Sequence, residues 1–371
     1  MDAITLNING QEVKVLKGQT VLQAAEVAGI YIPTLCNHPT LPPYGGCRMC
    51  LVEIEGMRRP TTACTTPATD KMVVKTDTPQ IQQLRRSILE LILTEHPHAC
   101  FTCDRRKRCS PLDICLRNVA VTERCVTCPK NLRCELQKVV DYVGIEEITL
   151  PYTFKNLPVQ RDNPFFDRDY NLCILCGRCV RVCQEIRGAG AIAFTYRGSQ
   201  SLVGTAFNLP LQDVGCQSCG ACVDVCPTGA LVERANKWTG LPEYTVTTTC
   251  PYCGVGCQLD MEIRRGKISN VVPHGNGEPN HGQACVKGKF GLDFVHSPER
   301  LTSPLIKRNG QFVEATWMEA LDLVAANLAN YKGDRFATIS SAKCTNEDNY
   351  VIQKFTRTVM ASNNLDHCAR L

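Results

Sequence analysis

The sequence predicts an α+β multidomain chain, and three observations carry that prediction. Its 371 residues exceed what one small hydrophobic core serves. Its 25 cysteines recur in groups along most of the length, as staples do where each domain has a thin core of its own. The texture also changes along the chain, from alternating strand and helix, through loop-rich cysteine segments, to strands and longer helices after about residue 246.

Residues 1–77 open with a strand over 4–9, a turn at Gly10, a second strand over 12–16 and a helix over 20–28 with Thr20 as its N-cap. A ligand loop follows. Cys36, Cys47, Cys50 and Cys64 have the spacing Cx10CxxCx13C, a long loop plus a CxxC pair that wraps a 2Fe-2S centre in ferredoxin-type domains. Gly45 and Gly46 let the backbone approach the cluster beside Cys47. The sum is a β-grasp ferredoxin pattern.

Residues 78–150 begin at Thr78-Pro79, a helix start, and Ile81, Leu84, Ile88, Leu91 and Ile92 fall at helical spacing. That helix delivers His96. His96, Cys100, Cys103 and Cys109 read Hx3CxxCx5C, and Cys115, Cys125, Cys128 and Cys134 read Cx9CxxCx5C. The last three of each group repeat at an offset of 25 residues, as in a local duplication with Cys115 in place of the histidine. His96 has a bland reading as a surface histidine before a proline; three cysteines wanting a fourth donor argue for ligation. Its neutral imidazole would give its cluster a different potential.

A linker over 150–164, with prolines at 151, 158 and 164, leads into residues 165–240. After the helical His/Cys cluster domain of residues 78–150, Cys173, Cys176, Cys179 and Cys183, then Cys216, Cys219, Cys222 and Cys226, form the paired CxxCxxCx3C run of a two-cluster 4Fe-4S ferredoxin. The fourth cysteine of each run crosses over. Cys226 then joins Cys173, Cys176 and Cys179, and Cys183 joins Cys216, Cys219 and Cys222. The glycine-rich stretch 188–193 imitates a dinucleotide fingerprint, but it follows a ligand helix and no strand, and is rejected.

Residues 246–302 hold Cys250, Cys253, Cys257 and Cys285 at CxxCx3Cx27C, among strands expected over 244–249, 259–263 and 268–272. Residues 303–371 suggest the incomplete start of an α/β domain: a helix over 317–331 with Leu321, Val324, Ala325 and Leu328 on one face, a strand over 336–340 and a helix over 346–360. Of the two cysteines left over, Cys344 is expected to be a buried small residue and Cys368 stands near the chain end.

Soft thiolates suit the corners of an iron-sulfide core, and a CxxC turn lets two sulfurs converge while backbone N–H groups point at the cluster. The sequence therefore predicts one 2Fe-2S and five 4Fe-4S clusters. Disulfides would suit a short secreted chain with a leader, and residues 1–10 carry no apolar leader run. Zinc could fill a single group, most readily the Cys115 group, but not the doubled ferredoxin run. The formal charge of +5 does not imply a nucleic-acid surface, because thiolates and oxidised cores together bring it to about −6. The basic run Arg105, Arg106, Lys107, Arg108 lies between ligands, where it offsets cluster charge or docks a partner. No apolar run approaches the roughly 18 residues of a membrane span, and a soluble, cytoplasmic protein is expected.

With these motifs in place, residues 1–110 resemble the start of the large iron-sulfur subunit of respiratory NADH dehydrogenase, and 246–371 resemble the start of the molybdenum or tungsten bis-pterin oxidoreductases. The whole order resembles the alpha subunit of NAD(P)-linked formate dehydrogenases. The Cys115 group departs from simpler members. The segments SSAKCTNEDNY (340–350) and NNLDHCARL (363–371) are similar to family stretches approaching the pterin and the metal ligand. The resemblance implies that the selenocysteine or cysteine ligand would come directly after Leu371, where a UGA codon can read as a stop, so no catalytic residue is expected within this chain. It further implies that Lys287 lies between the Cys285 cluster and a pterin, a solvated surface lysine being the alternative, and that a molybdenum or tungsten bis-molybdopterin guanine dinucleotide belongs to the full-length enzyme alone. Flavin- and NAD(P)-binding diaphorase or hydrogenase subunits, or ferredoxin, would be partners, and formate the substrate. The alternative is a stand-alone, non-catalytic multi-cluster electron-transfer subunit.

Overall fold

In a computed structural model, which describes residues 3–115, 124–342 and 344–367, the chain divides into two units, Met1–Pro242 and Glu243–Leu371. The first starts with strands β1 (Ala3–Ile8) and β2 (Gln11–Leu16), paired antiparallel from Ala3↔Leu16 to Ile8↔Gln11. Alternation explains them. Ile4, Leu6, Ile8, Val13 and Val15 are buried and their neighbours face out. Helix α1 (Val21–Val27) is closed by a capping box between Thr20 and Gln23.

Three short strands complete this sheet: β3 (Leu51–Ile54), β4 (Thr61–Thr62) and β5 (Val73–Lys75). The order is β2-β1-β5-β3-β4, with β5 parallel to β1. One continuous apolar core joins sheet and α1, and Cys50 and Cys64 are part of it.

Helix α2 (Pro79–Leu93) has Thr78 as N-cap and proline in its first turn. It packs on α3 (Glu135–Val143), an element not among those expected, through Leu89 and Leu93 against Leu136, Val139, Val140 and Val143. The expected linker is pinned rather than loose. Thr153 donates its N–H to the Thr94 carbonyl at 2.7 Å, Lys155 pairs with Glu95 at 2.7 Å, and Asn171 bonds both backbone groups of Leu157.

The next region is nearly all loop and short helix. Strand β6 (Phe166–Arg168), helix α4 (Arg178–Arg181), strands β7 (Ala193–Thr195) and β8 (Leu202–Gly204), helix α5 (Ala221–Asp224) and strand β9 (Leu231–Glu233) follow in order. β6 pairs with β9 and β7 with β8, both antiparallel. The apolar cluster around α4 and α5 is small, with Leu41, Val182, Ala221 and Val225 buried.

The second unit has a three-stranded antiparallel sheet of β10 (Tyr244–Thr249), β11 (Gln258–Arg264) and β12 (Lys267–Pro273), then α6 (Val286–Phe290). A hairpin of β13 (Leu305–Arg308) and β14 (Gln311–Glu314), helix α7 (Trp317–Leu328), β15 (Thr338–Ser340), α8 (Asn346–Lys354) and β16 (Leu365–His367) complete it. β15 and β16 run parallel around α8, the expected βα geometry. The α7 face bearing Leu321 and Val324 is exposed. Among the described residues no helix is long and apolar enough to cross a membrane.

Candidate iron-sulfur centres

The first donor set sits where the 36–50 loop folds over the sheet. Cys36, Cys50 and Cys64 are buried, and the four sulfurs fall into two pairs. The Cys50 thiol donates to Cys64 Sγ at 3.4 Å, and the Cys47 thiol donates to Cys36. Those donated hydrogens pull the Cys36 and Cys64 thiols down and push Cys47 and Cys50 up. Backbone amides aim at the same sulfurs, Leu35 N–H to Cys47 and Cys47 N–H to Cys36, each at 3.4 Å. Gly45 and Gly46 amides assist Cys64 and Cys36. Gly45 needs its glycine: φ is +69°, and a Cβ would meet Thr65 at 3.1 Å. Two sulfur pairs are the donor arrangement that a two-iron core takes.

The His96 region differs from the contiguous grouping read in the sequence. α2 ends at Leu93 and turns His96 inward, 7 % exposed and stacked on Phe101 at 5.8 Å. The cavity that His96 lines is shared with Cys125, Cys128 and Cys134 and not with Cys100, Cys103 or Cys109. Burial lowers the His96 imidazole to about 4 and raises the Cys134 thiol to about 11. Cys100 lies against Cys125, whose N–H donates to Cys100 Sγ at 3.3 Å. Cys103 and Cys109 are half-buried and Cys115 is exposed. Arg106 of the basic run pairs with Asp141 on α3.

The ferredoxin-like region is built on a local repeat. Gly177 and Gly220, both at φ +75°, start α4 and α5. Two residues earlier Leu175 (φ 52°) and Ser218 (φ 50°) take the same left-handed conformation, which turns their amides onto Cys173 and Cys216 at 3.4 Å each. Cys183 lines one cavity with Cys216, Cys219 and Cys222, although the chain separates it from them by more than thirty residues. Cys173, Cys176, Cys179 and Cys226 come together likewise. Burial first, then their mutual repulsion, raises Cys173 to about 11, Cys176 to about 12 and Cys179 well above the ordinary thiol value.

In the second unit Cys250, Cys253, Cys257 and Cys285 lie close enough to raise one another, after burial, in the Cys250 and Cys257 thiols. Gly288 on α6 lies in contact with the Cys250 side chain. Lys287 is exposed on α6. Its neighbour Lys289 is buried and donates to the Val271 carbonyl. Cys344, expected to be buried, is exposed: β15 and α8 leave the loop between them uncovered. Cys368 and Leu371 lie outside the described residues.

The donor chemistry fits iron-sulfur clusters. Cys183 with Cys216, Cys219 and Cys222, and Cys125 with Cys128 and Cys134, line cavities, and backbone N–H groups reach the sulfurs of these regions, the environment of a polynuclear core.

Three buried arginines carry no ligand motif of their own, yet all three join these centres. Arg181 on α4 donates to the Pro42 carbonyl at 2.7 Å and the Cys36 carbonyl at 2.6 Å, and lies 4.6 Å over the Tyr44 ring. Arg178 forms a bidentate pair with Glu135 of α3 at 2.6 and 2.7 Å. Arg85 on α2 donates to Met49 and Leu51 carbonyls at 3.1 and 2.9 Å. The available signal was two arginines inside the otherwise apolar ligand helix GRCVRVC, residues 177–183.

Comparison with known proteins agrees with this layout. Family models match in order: a 2Fe-2S iron-sulfur cluster binding domain over residues 1–79, the NADH-ubiquinone oxidoreductase-G iron-sulfur binding region over 85–117, and the ferredoxin-like domain of NADH-quinone oxidoreductase subunit 3 over 163–232. The molybdopterin oxidoreductase Fe4S4 domain follows over 243–297 and molybdopterin oxidoreductase over 300–371. Similar curated proteins include an NADH-quinone oxidoreductase subunit of Rhizobium meliloti, 38 % identical across 99 % of this chain and 40 % of its own length. The NADPH-Fe(3+) oxidoreductase subunit alpha of Geobacter sulfurreducens is 36 % identical over the same shares. A Staphylococcus haemolyticus protein named for formate dehydrogenase is 30 % identical, over 99 % of this chain and 39 % of its own. The chain thus spans about two fifths of these relatives. A chain of an NAD+-reducing [NiFe]-hydrogenase in the H2-reduced state matches with a TM-score of 0.51 and 28 % identity, over 64 % of this chain and 90 % of that one. The cysteine quartets, their order and these likenesses together show an iron-sulfur chain that is similar, segment by segment, to NADH-quinone oxidoreductase and molybdopterin oxidoreductase domains.

Proposed function

We propose that the chain is the electron-transfer portion of a formate dehydrogenase alpha subunit, passing electrons between a molybdenum or tungsten bis-pterin site of the full-length enzyme and an NAD(P)-linked diaphorase or hydrogenase partner. One observation carries the electron-transfer reading above all: Cys183 meets Cys216, Cys219 and Cys222 at one cavity. Buried thiols gain little from such crowding as neutral groups, and four thiolates need a cationic core between them.

The clusters supply one-electron storage when bound. The protein holds them: Cys36, Cys47, Cys50 and Cys64 for a 2Fe-2S core, His96 and the remaining quartet cysteines, Cys115 included, for five 4Fe-4S cores. Amides at Cys47, Leu175 and Ser218 donate to the sulfurs and favour the reduced, more negative state. Formate gives up two electrons and a proton as carbon dioxide leaves, and each cluster accepts one electron at a time. The 363–371 segment and the name of the Staphylococcus haemolyticus relative support formate as substrate. The names of the Geobacter and Rhizobium relatives support a nicotinamide-linked partner. Lys287, exposed on α6, is the residue proposed to lie between the Cys285 cluster and a pterin.

A second reading, a non-catalytic electron-transfer subunit, is favoured by the hydrogenase likeness over 64 % of the chain. The test has two parts. Anaerobically purified chain should contain about 22 irons, from one two-iron and five four-iron cores. The full-length enzyme should reduce viologen dye with formate and carry molybdenum or tungsten; cluster reduction by NAD(P)H or hydrogen without any by formate would select the second reading.

A further inference from the structure

Resting on that iron-sulfur reading, we infer that His96 completes a cluster with Cys125, Cys128 and Cys134, the second copy of the repeated CxxCx5C, leaving Cys100, Cys103, Cys109 and Cys115 to hold a separate, outer cluster. The duplication gives His96 two equivalent triples to choose from. Chain proximity favours the first, and the family match over 85–117 covers that contiguous spacing. The fold favours the second.

Packing makes the choice. α2 and α3 share an apolar seam through Leu89, Leu93, Leu136 and Val140, so the end of α2 and the start of α3 are held together. The first carries His96 and the second has Cys134 as its N-cap. Both line the same cavity with Cys125 and Cys128. Within it His96 Nδ1 lies 3.0 Å from the Pro97 carbonyl oxygen. A carbonyl can only accept, so Nδ1 carries the hydrogen and Nε2 keeps its lone pair for a metal. On the far wall Cys128 Sγ is pressed against Gly229, where a Cβ would come within 2.7 Å of it.

None of the first triple lines this cavity. Cys100, the repeat equivalent of Cys125, borders it and accepts both the Cys125 N–H and the Cys125 thiol hydrogen. Arg124, just before Cys125, donates to the carbonyls of Asp113 and Pro111 at 2.7 and 2.8 Å. That clamp brings the stretch leading to Cys115 alongside the inner set. Cys100, Cys103, Cys109 and Cys115 then read CxxCx5Cx5C, a compact quartet with an exposed last member.

The pairing is tested on the complete chain, prepared without oxygen and reduced with dithionite, by pulsed paramagnetic resonance for the nitrogen coupling of a histidine-ligated cluster. Cys128→Ala should abolish the coupling with loss of about four irons. Cys103→Ala and Cys109→Ala should lose about four irons and keep it. Retention in Cys128→Ala, or loss in Cys103→Ala and Cys109→Ala, overturns the pairing. Should Cys128→Ala fail to fold, the two outer variants still decide. A wild-type chain that holds iron but shows no nitrogen coupling overturns it as well, while a chain without iron refutes the electron-transfer reading beneath.

Discussion

Arg181 couples the ferredoxin-like region to the 2Fe-2S loop, and its removal should change both stability and potential. The side chain is 6 % exposed and makes two charge-assisted hydrogen bonds, at 2.7 Å to Pro42 and 2.6 Å to Cys36. At about 1.5–3 kcal/mol for each such bond, Arg181→Met should cost about 3–6 kcal/mol, since two buried carbonyls lose their donor. The cation also sits beside a centre that gains negative charge on reduction. A unit charge at ~6 Å with an effective dielectric of ~20 is worth about 3 kcal/mol. That corresponds to a shift on the order of 100 mV for a one-electron couple. The 2Fe-2S potential, measured by redox titration of its paramagnetic signal, should therefore become more negative in Arg181→Met. Arg181→Lys, which keeps the charge but loses the planar fork, should recover most of the potential and only part of the stability. An unchanged potential in Arg181→Met, with the cluster fully loaded, would refute the electrostatic assignment; unchanged unfolding would refute the packing one.

Asp167 is buried beneath Arg234 at 2.9 Å and Lys237 at 3.3 Å. Burial alone would raise its carboxyl, but those hydrogen bonds outweigh it and hold it below the ordinary 3.8. Its contribution is therefore present above the unfolded value and lost as pH falls through the folded one, because the unfolded chain takes up the proton first. Asp167→Asn should lower stability at neutral pH by about 2 kcal/mol and flatten the acid limb of the unfolding curve below pH ~4, as followed by circular dichroism. Gly177→Ala forces a side chain into φ +75° with Phe194 3.1 Å from the new Cβ. It should cost about 1–2 kcal/mol and lower the iron content, read by colorimetric assay. Oxidative removal of iron should unfold the region around α4 and α5, whose apolar cluster is small, before the β-grasp sheet, whose core is continuous. Hydrogen exchange resolved by segment would show the reverse order if the clusters are not structural.

The cysteine groups, and the meeting of Cys183 with Cys216, Cys219 and Cys222, were legible because ligand chemistry imposes short, rigid spacings that survive in one dimension. β1, β2, α1 and α2 were legible too, since alternation and capping are local signals. The strands β3, β4 and β5 were not anticipated; none exceeds four residues, and β5 is recruited by a parallel pairing with β1 across more than sixty residues. α3 was missed for a different reason. Its apolar positions Leu136, Val139, Val140 and Val143 have helical spacing, but its N-cap is Cys134, and a residue read as a ligand was not also read as a helix start. Cys134 is both a candidate donor and the N-cap of α3, which brings it to the cavity of His96.

The arginines escaped notice for a related reason, and they show what the fold adds to the cysteines. Spacing fixes which thiolates can share a core, yet each quartet on its own is a loop with almost nothing to bury. The two-cluster region buries Arg178 and Arg181 on one short helix, and a buried guanidinium is costly unless its donors are met. Their terminal NH2 groups are met outside the helix, by Glu135 of α3 and by carbonyls of the 2Fe-2S loop, while the Nε of each stays buried without a partner. The cost of leaving either guanidinium unpaired thus holds neighbouring donor sets in register, while the cations offset the charge that thiolates accumulate. A chain meant only to sequester iron needs no such fixed relation between centres. One that moves electrons does, because transfer requires neighbouring cores at short and constant separation, and buried arginines at the junctions hold that separation more rigidly than an apolar seam free to slide.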